Sequence, residues 1–392
     1  MLKGALKKYI SKKYWFIYTF LLLLAIFPPI NAGIETLIRS MGGLYRSNYL
    51  ISILVYCLAF AIFGICWNIL GGYGAQISWC SAAFVAIGAY TNFILYRAFG
   101  ISAFVTLPLG VLLSFLFATI IGYGTFRLRG PYFSIATIAF AETLRSFILY
   151  NIKLTRGAAG ISLTFKKSSL WDLTFRNDTP FYYIMFFLML LALFVAYRFT
   201  KSKTGYYLSC IKGDEDAAQS LGIETFKIKL RAFQISAMMM SIAGAFYGSF
   251  LVYISPFSTA SFDLSIQIGV VAIVGGVSTL WGPVLGAFIV YPLIEITGKL
   301  LGQHGSSTIL YGFLLIVIVI FCPKGLIHLF SVWRGKIFRT PPADDSQQGN
   351  GIRDGIANLF DTNKPRKPSS PQEPSSSQKT SPSQKTSLPD KA

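Results

Sequence analysis

Charge is scarce in this 392-residue chain, with 13% of residues Asp, Glu, Lys or Arg, about half the share of a soluble domain. Acids are scarcer still, 16 against 35 bases. The only histidines are His304 and His328, and the five cysteines (Cys57, Cys66, Cys80, Cys210, Cys322) are scattered without a C-x-x-C pair. That excludes a zinc cluster or a disulfide framework, so no metal or cofactor is expected and the cysteines read as small hydrophobes. The two Gly-Lys pairs are followed by Leu300 and Ile337, so no G-x-x-x-x-G-K-[ST] loop exists and the chain does not hydrolyse ATP by itself. Neither a nucleophile elbow nor an H-E-x-x-H motif occurs. Covalent catalysis has no support, and an enzyme is not expected.

What is abundant is apolar sequence: 53% hydrophobic residues and a mean hydropathy of +0.55. Runs such as 14–30, 49–70 and 306–322 carry about 17 or more residues without an acid or base, enough to cross a bilayer core. Continuous runs, unlike short alternating ones, exclude a β-barrel. The expectation is an all-α, polytopic integral membrane protein with about ten transmembrane helices: 14–30, 49–70, 80–96, 101–126, 131–150, 181–198, 230–254, 263–276, 283–301 and 306–322. The segments around 77–96 and 263–280 are expected to be broken or re-entrant.

A net charge of +19 invites a nucleic-acid reading, but the bases cluster at the ends of apolar runs, where they set orientation. No nucleic-acid partner is expected. Residues 1–13, with five lysines, form a cytoplasmic basic N-terminus; a cleaved signal peptide competes weakly, because no small-x-small site follows Pro28-Pro29. Residues 14–330 are the membrane domain, with both termini inside a bacterial cytoplasmic membrane. From about 340 to 392 Pro, Ser, Gln and Lys replace apolar residues, which predicts a disordered cytoplasmic tail.

One polar segment, 212–223, interrupts the apolar pattern within a loop at 199–229 that the charge asymmetry places in the cytoplasm. Asp214, Glu215 and Asp216 suit the positive end of a helix dipole, Ala217, Ala218 and Leu221 favour helix, and Gly222 ends it. A short helix there has the character of a docking knob; a solvated loop is the plain alternative. Gly72 and Gly74 let the backbone turn after the second run, and Gln76 and Ser78 can satisfy freed backbone groups or a polar solute. Thr137 and Glu142 follow in the fifth run, with Arg145 one turn beyond Glu142. Glu295, in the ninth run, has no evident local partner. Gly244-x-x-x-Gly248 and Gly282-x-x-x-Gly286 are helix-contact patterns.

Five blocks in order resemble the permease subunit of branched-chain amino acid ABC importers. Gly72 to Tyr90 is similar to G-Y-A-G-Q-x-S-x-G-H-A-A-F-x-x-I-G-A-Y, Arg127 to Tyr132 to R-x-R-G-x-Y, and Asp214 to Ile223 to D-E-x-A-A-x-x-L-G-I. Gly275 to Ala287 resembles G-G-x-G-x-x-x-G-P-x-x-G-A, and Pro323 to Leu326 the closing P-x-G-L. The chain departs from the pattern at Ala75, Cys80 and Ser81, and at Arg156, which stands at a glycine of T-G-G-x-x-G. The resemblance implies a lipid-embedded pathway for branched-chain or related amino acids. It also implies a second homologous permease, two cytoplasmic ATP-binding subunits that seat the 214–222 segment, and an extracytoplasmic solute-binding protein. A urea or short-amide permease is the near alternative; a secondary transporter coupled through Glu142 or Glu295 is the distant one.

Overall fold

The computed structural model describes residues 15–40, 47–128, 130–163, 177–301 and the single positions 175, 312, 313, 316, 325 and 326. The basic N-terminus 1–13, most of the run 306–322 and the tail 340–392 lie outside the described residues. The long helices are α1 Trp15–Ser40, α2 Ser47–Leu70, α3 Ser81–Phe99, α4 Ala103–Thr125 and α5 Pro131–Tyr150. After a short α6 (Ile152–Thr155) come α7 Asp178–Thr200, α8 Lys203–Gly213, α9 Glu215–Ser220 and α10 Thr225–Leu251. A short α11 (Pro256–Thr259), α12 Phe262–Gly276 and α13 Gly282–Leu301 complete the described helices. The first nine predicted runs each fall on one of these helices. Among the described residues, six segments are long and apolar enough to cross a membrane: Tyr49–Leu70, Ser81–Phe99, Ala103–Thr125, Pro131–Tyr150, Asp178–Thr200 and Pro256–Gly276. The chain is an all-α, multi-pass membrane protein.

The chain breaks after the second run, beside the segment expected to be broken, and again after Gly276 within 263–280, whereas a further break at 252–255 falls inside the expected continuous run 230–254. Leu70 leads into a turn at 71–74 and a non-helical stretch at 75–80 before α3 starts. Between α10 and α12 the backbone leaves the helix at 252–255. There β2 (Tyr253–Ile254) pairs antiparallel with β1 (Ile161–Ser162). The 15 residues of α12 rise about 22 Å, short of the roughly 30 Å hydrocarbon core. Local chemistry fixes these starts: Ser255 and Ser258 form a capping box on α11, and the Ser261 hydroxyl accepts from Leu264 N over 3.1 Å on α12.

Helices α2 and α10 are the axis of the bundle. Helix α10 packs along α3, α4 and α2, while α2 also lies against α7, α12 and α13. Between hydrocarbon-solvated helices burial alone drives little, so close contact and polar links hold them. The glycines supply the close contact. A Cβ on Gly88 would lie 1.9 Å from the Ser241 carbonyl oxygen, and one on Gly244 would lie 2.4 Å from that of Val85. The links include Asn92, whose amide nitrogen donates to Ser249 Oγ over 3.0 Å while its Oδ1 accepts from Thr106 Oγ1 over 2.8 Å. Aromatic rings fill the centre: Tyr56 stacks on Tyr291 with centroids 5.0 Å apart and meets Phe250 edge-on.

Candidate functional site

At one end of the bundle, the end of α7 and the start of α10 are joined by two helices instead of a loop. Ser202 caps α8, accepting from Gly205 N over 3.3 Å. Asp214 breaks the helix with an extended backbone and caps α9, its Oδ1 accepting from Asp216 N at 2.9 Å and Ala217 N at 3.0 Å. Glu215 and Asp216 occupy the first turn of α9, where the helix dipole favours anions. Gly222, at φ +82°, turns the chain out of the helix. Ala218 is buried, whereas Leu221 is 81% exposed, an apolar side chain presented outward. Sequence reasoning anticipated α9 closely but not the eleven-residue α8 before it.

The two helices are tied to the membrane part by two charged contacts. Lys229, near the start of α10 and 3% exposed, lies 2.6 Å from Glu215. Lys212, in the last turn of α8, donates to the carbonyl of Gly72 over 3.1 Å and to the Ser278 hydroxyl. Ser278 in turn donates to the same Gly72 carbonyl over 2.7 Å. Asn68 clamps this junction from α2, giving its amide hydrogen to Thr279 O over 2.8 Å and accepting from Ser278 N over 2.9 Å. Lys212 therefore holds the turn after α2 and the turn after α12 at one point. Nothing in the spacing of Lys212, Gly72 and Ser278 announces this; only the fold brings 72, 212 and 278 together.

Of the residues proposed for the pathway, Gly72 and Gly74 are buried at that junction. A Cβ on Gly72 would overlap Asn68 Oδ1, and one on Gly74 would press on Leu70 O and Leu208. Gln76 is half-buried on the extended stretch. Ser78 is buried, its carbonyl accepting from Trp67 Nε1 over 2.9 Å. Thr137 holds that stretch from α5, accepting from Trp79 N over 3.1 Å, and Ser134 donates to Ile77 O over 2.7 Å. Thr137 and Ser78 thus come together at the broken segment. Glu142 stands apart, paired with Arg145 Nη1 at 2.9 Å and 3.1 Å through its two oxygens. Glu295 is not without a partner: it accepts from Tyr49 OH over 3.0 Å, and Lys299, one turn on, lies 3.9 Å away. No group of His, Cys, Asp and Glu able to hold a metal occurs among the described residues.

Residues 49–321 match the permease component of branched-chain amino acid transport systems. The chain belongs to that family. It is 29% identical to the high-affinity branched-chain amino acid transport permease protein LivM of Salmonella typhimurium, over 71% of this chain and 70% of that protein. It is 24% identical to LivH of the same organism, over 68% of this chain and 91% of that protein. A fructose import permease protein of Rhizobium meliloti matches at 23% over 55% of this chain and 59% of that one. No solved structure matches.

Ala75, Arg156 and Ser278 have left-handed φ of 53°, 59° and 63°, a region that costs a residue with a Cβ about 1–2 kcal/mol. Each stands where the family pattern quoted above has glycine. At Ser278 the side chain supplies the hydroxyl that Lys212 and Gly72 share. At Ala75 and Arg156 the structure shows no compensating contact that would explain the substitution.

Proposed function

We infer that this chain forms half of the translocation pathway of an ATP-driven importer of branched-chain or related amino acids. A second homologous permease would complete the pathway, two cytoplasmic ATP-binding subunits would drive it, and an extracytoplasmic binding protein would deliver the solute. The names of the LivM and LivH relatives support both the solute class and the need for a companion permease. The observation that carries the mechanism is the α8–α9 element, a capped helix pair with an exposed Leu221 and acidic first turn. It is seated on the pathway turns through Lys212 and Glu215.

The end that holds α8 and α9 also holds Arg127, Arg198, Lys201, Lys203, Lys227 and Arg231, a basic clustering that supports a cytoplasmic position by the positive-inside rule. Residues 214–222 then dock on the ATPase, and closure of the ATPase pair displaces α9. Lys212 transmits that displacement to Gly72 and Ser278, hence to the broken segments 75–80 and 277–281. Gln76, Ser78 and Thr137 lie on or against the first of these and line the route. Both sites bias one two-state element, which is what coupling requires.

Reconstitution tests this reading. The chain, with a companion permease, ATP-binding subunits and binding protein of the same importer, should take up labelled leucine into proteoliposomes only with internal-face ATP and the binding protein. Uptake by this chain alone, driven by a proton or sodium gradient, would overturn it.

A further inference from the structure

Helix α5 buries one face, with Phe133, Thr137, Ala141 and Ile148 turned inward. On the flank beside Ser134, the chain carries Glu142, Arg145 and Ser146, part-buried or exposed. Counted from Pro131, Glu142 lies about 16 Å and Arg145 about 21 Å along a helix of about 30 Å. The pair is therefore well inside a spanning segment. Its side chains are 41% and 27% exposed, respectively. An ion pair at that depth faces other helices or water, not lipid tails.

Arg145 is incompletely used. Nη1 serves both oxygens of Glu142, and the guanidinium lies 5.3 Å from the ring centroid of Phe257. Its Nε is buried without a hydrogen-bond partner. The edge that includes Nε is one of those able to grip a carboxylate through two parallel N–H groups. Beside it stand the Glu142 side chain, 41% exposed, and the half-exposed ring of Phe257. An unpartnered N–H donor, covered in the absence of solute, a part-exposed carboxylate and an apolar ring correspond to the three parts of an α-amino acid: carboxylate, ammonium and hydrophobic side chain.

Resting on the importer reading above, we propose that Glu142 and Arg145 are a way-station that binds the zwitterion of the solute. Arg145 takes the carboxylate through its Nε edge, Glu142 takes the ammonium, and the branched side chain lies on Phe257. One internal ion pair is exchanged for two charge-assisted contacts to the solute, so the charges are never left uncompensated during transfer. Phe257 belongs to α11, next to the β1–β2 ribbon. This places the station toward the end of the bundle opposite α8 and α9, where a delivered solute is first received.

The test uses the complete importer in proteoliposomes, with labelled leucine as the probe. Glu142→Gln and Arg145→Lys should each cut ATP-driven uptake ten-fold or more, while ATP hydrolysis stimulated by the leucine-loaded binding protein persists. The exchange Glu142→Arg/Arg145→Glu keeps an ion pair at these positions and should restore the thermal stability of the complex but not uptake. Recovery of uptake in the exchanged variant, or wild-type uptake in either single variant, would make the pair a structural clip and overturn the proposal. A measurement that leaves the pair intact stands beside these. Ser146→Cys, with Cys210 and Cys322 replaced by serine, should react with a charged, water-soluble thiosulfonate and be slowed by leucine; failure to react would place the flank against lipid or protein and also overturn it. Wild-type importer that takes up no amino acid with ATP would instead remove the importer reading itself.

Discussion

Glu215 of α9 and Lys229 of α10 lie 2.6 Å apart, the lysine 3% and the glutamate 24% exposed. A nearly buried ammonium needs its carboxylate, since removing one partner leaves a charge that neither water nor protein neutralises. Glu215→Gln is therefore expected to lower stability by about 2 kcal/mol, less than a fully buried pair because water still reaches the glutamate side. Glu215→Gln/Lys229→Met, which removes both charges, should recover most of that loss. Thermal unfolding of the purified protein in detergent, in a double-mutant cycle, checks it: a loss in the double variant equal to the sum of the losses in the two single variants would show that the pair is not coupled.

Lys212 allows a sharper separation of coupling from folding. Its contacts to Gly72 O and Ser278 join α8 to two turns without entering the core. A charge-assisted hydrogen bond contributes about 1.5–3 kcal/mol, so Lys212→Met should lower leucine taken up per ATP hydrolysed about ten-fold. ATP hydrolysis and assembly should be kept. Measured uptake and hydrolysis falling in step would mean that Lys212 serves docking or folding, and not transmission.

What the sequence made legible was whatever has a local cause. Apolar length marked the helices, Asp214 and Gly222 marked the ends of α9, and Gly-rich stretches marked the breaks at 71–80 and 277–281, whereas the break at 252–255 carries no glycine and was not marked. The i, i+3 spacing foretold the Glu142–Arg145 contact, now seen at 2.9 Å. What stayed hidden depends on contacts between distant segments. Lys212 met Gly72 and Ser278, and Lys229 met Glu215, only because α2, α8, α10 and α12 end at one level. Glu295 looked unpaired because its first partner, Tyr49, lies 246 positions earlier, although Lys299 at i+4 was within the reach of helical spacing. The eleven residues of α8 were missed because their polarity resembles a loop's, and short helices outside the membrane leave no long apolar run.

Ala75 offers a prediction of opposite sign. Its φ of 53° is strained for a residue with a Cβ, and glycine removes that cost while adding some unfolded-state entropy. Ala75→Gly should raise stability by about 0.5–1 kcal/mol, seen as a higher midpoint in thermal unfolding. Uptake should be maintained, since the backbone path through Gln76 and Ser78 is unchanged. A lower midpoint would show that the alanine methyl group packs usefully.

The crossing of α3 and α10 sets a stricter limit. Gly88 faces Ser241 and Gly244 faces Val85, each so closely that an added Cβ would strike backbone oxygen at 1.9 Å and 2.4 Å. Backbone atoms cannot rotate away as a flexible side chain can, so both helices would have to separate. Gly88→Ala and Gly244→Ala should each cost about 3 kcal/mol or more, beyond ordinary core overpacking, and reduce the yield of folded protein. Gly110 provides the control, because its added Cβ would meet only ordinary contacts, the nearest Ser241 Oγ at 3.4 Å. Gly110→Ala should be neutral or stabilising by up to about 1 kcal/mol, the gain expected for alanine over glycine inside a helix. Size-exclusion profiles and unfolding midpoints of the three variants decide the matter: equal tolerance at all three glycines would show that the α3–α10 approach is not what holds this bundle together.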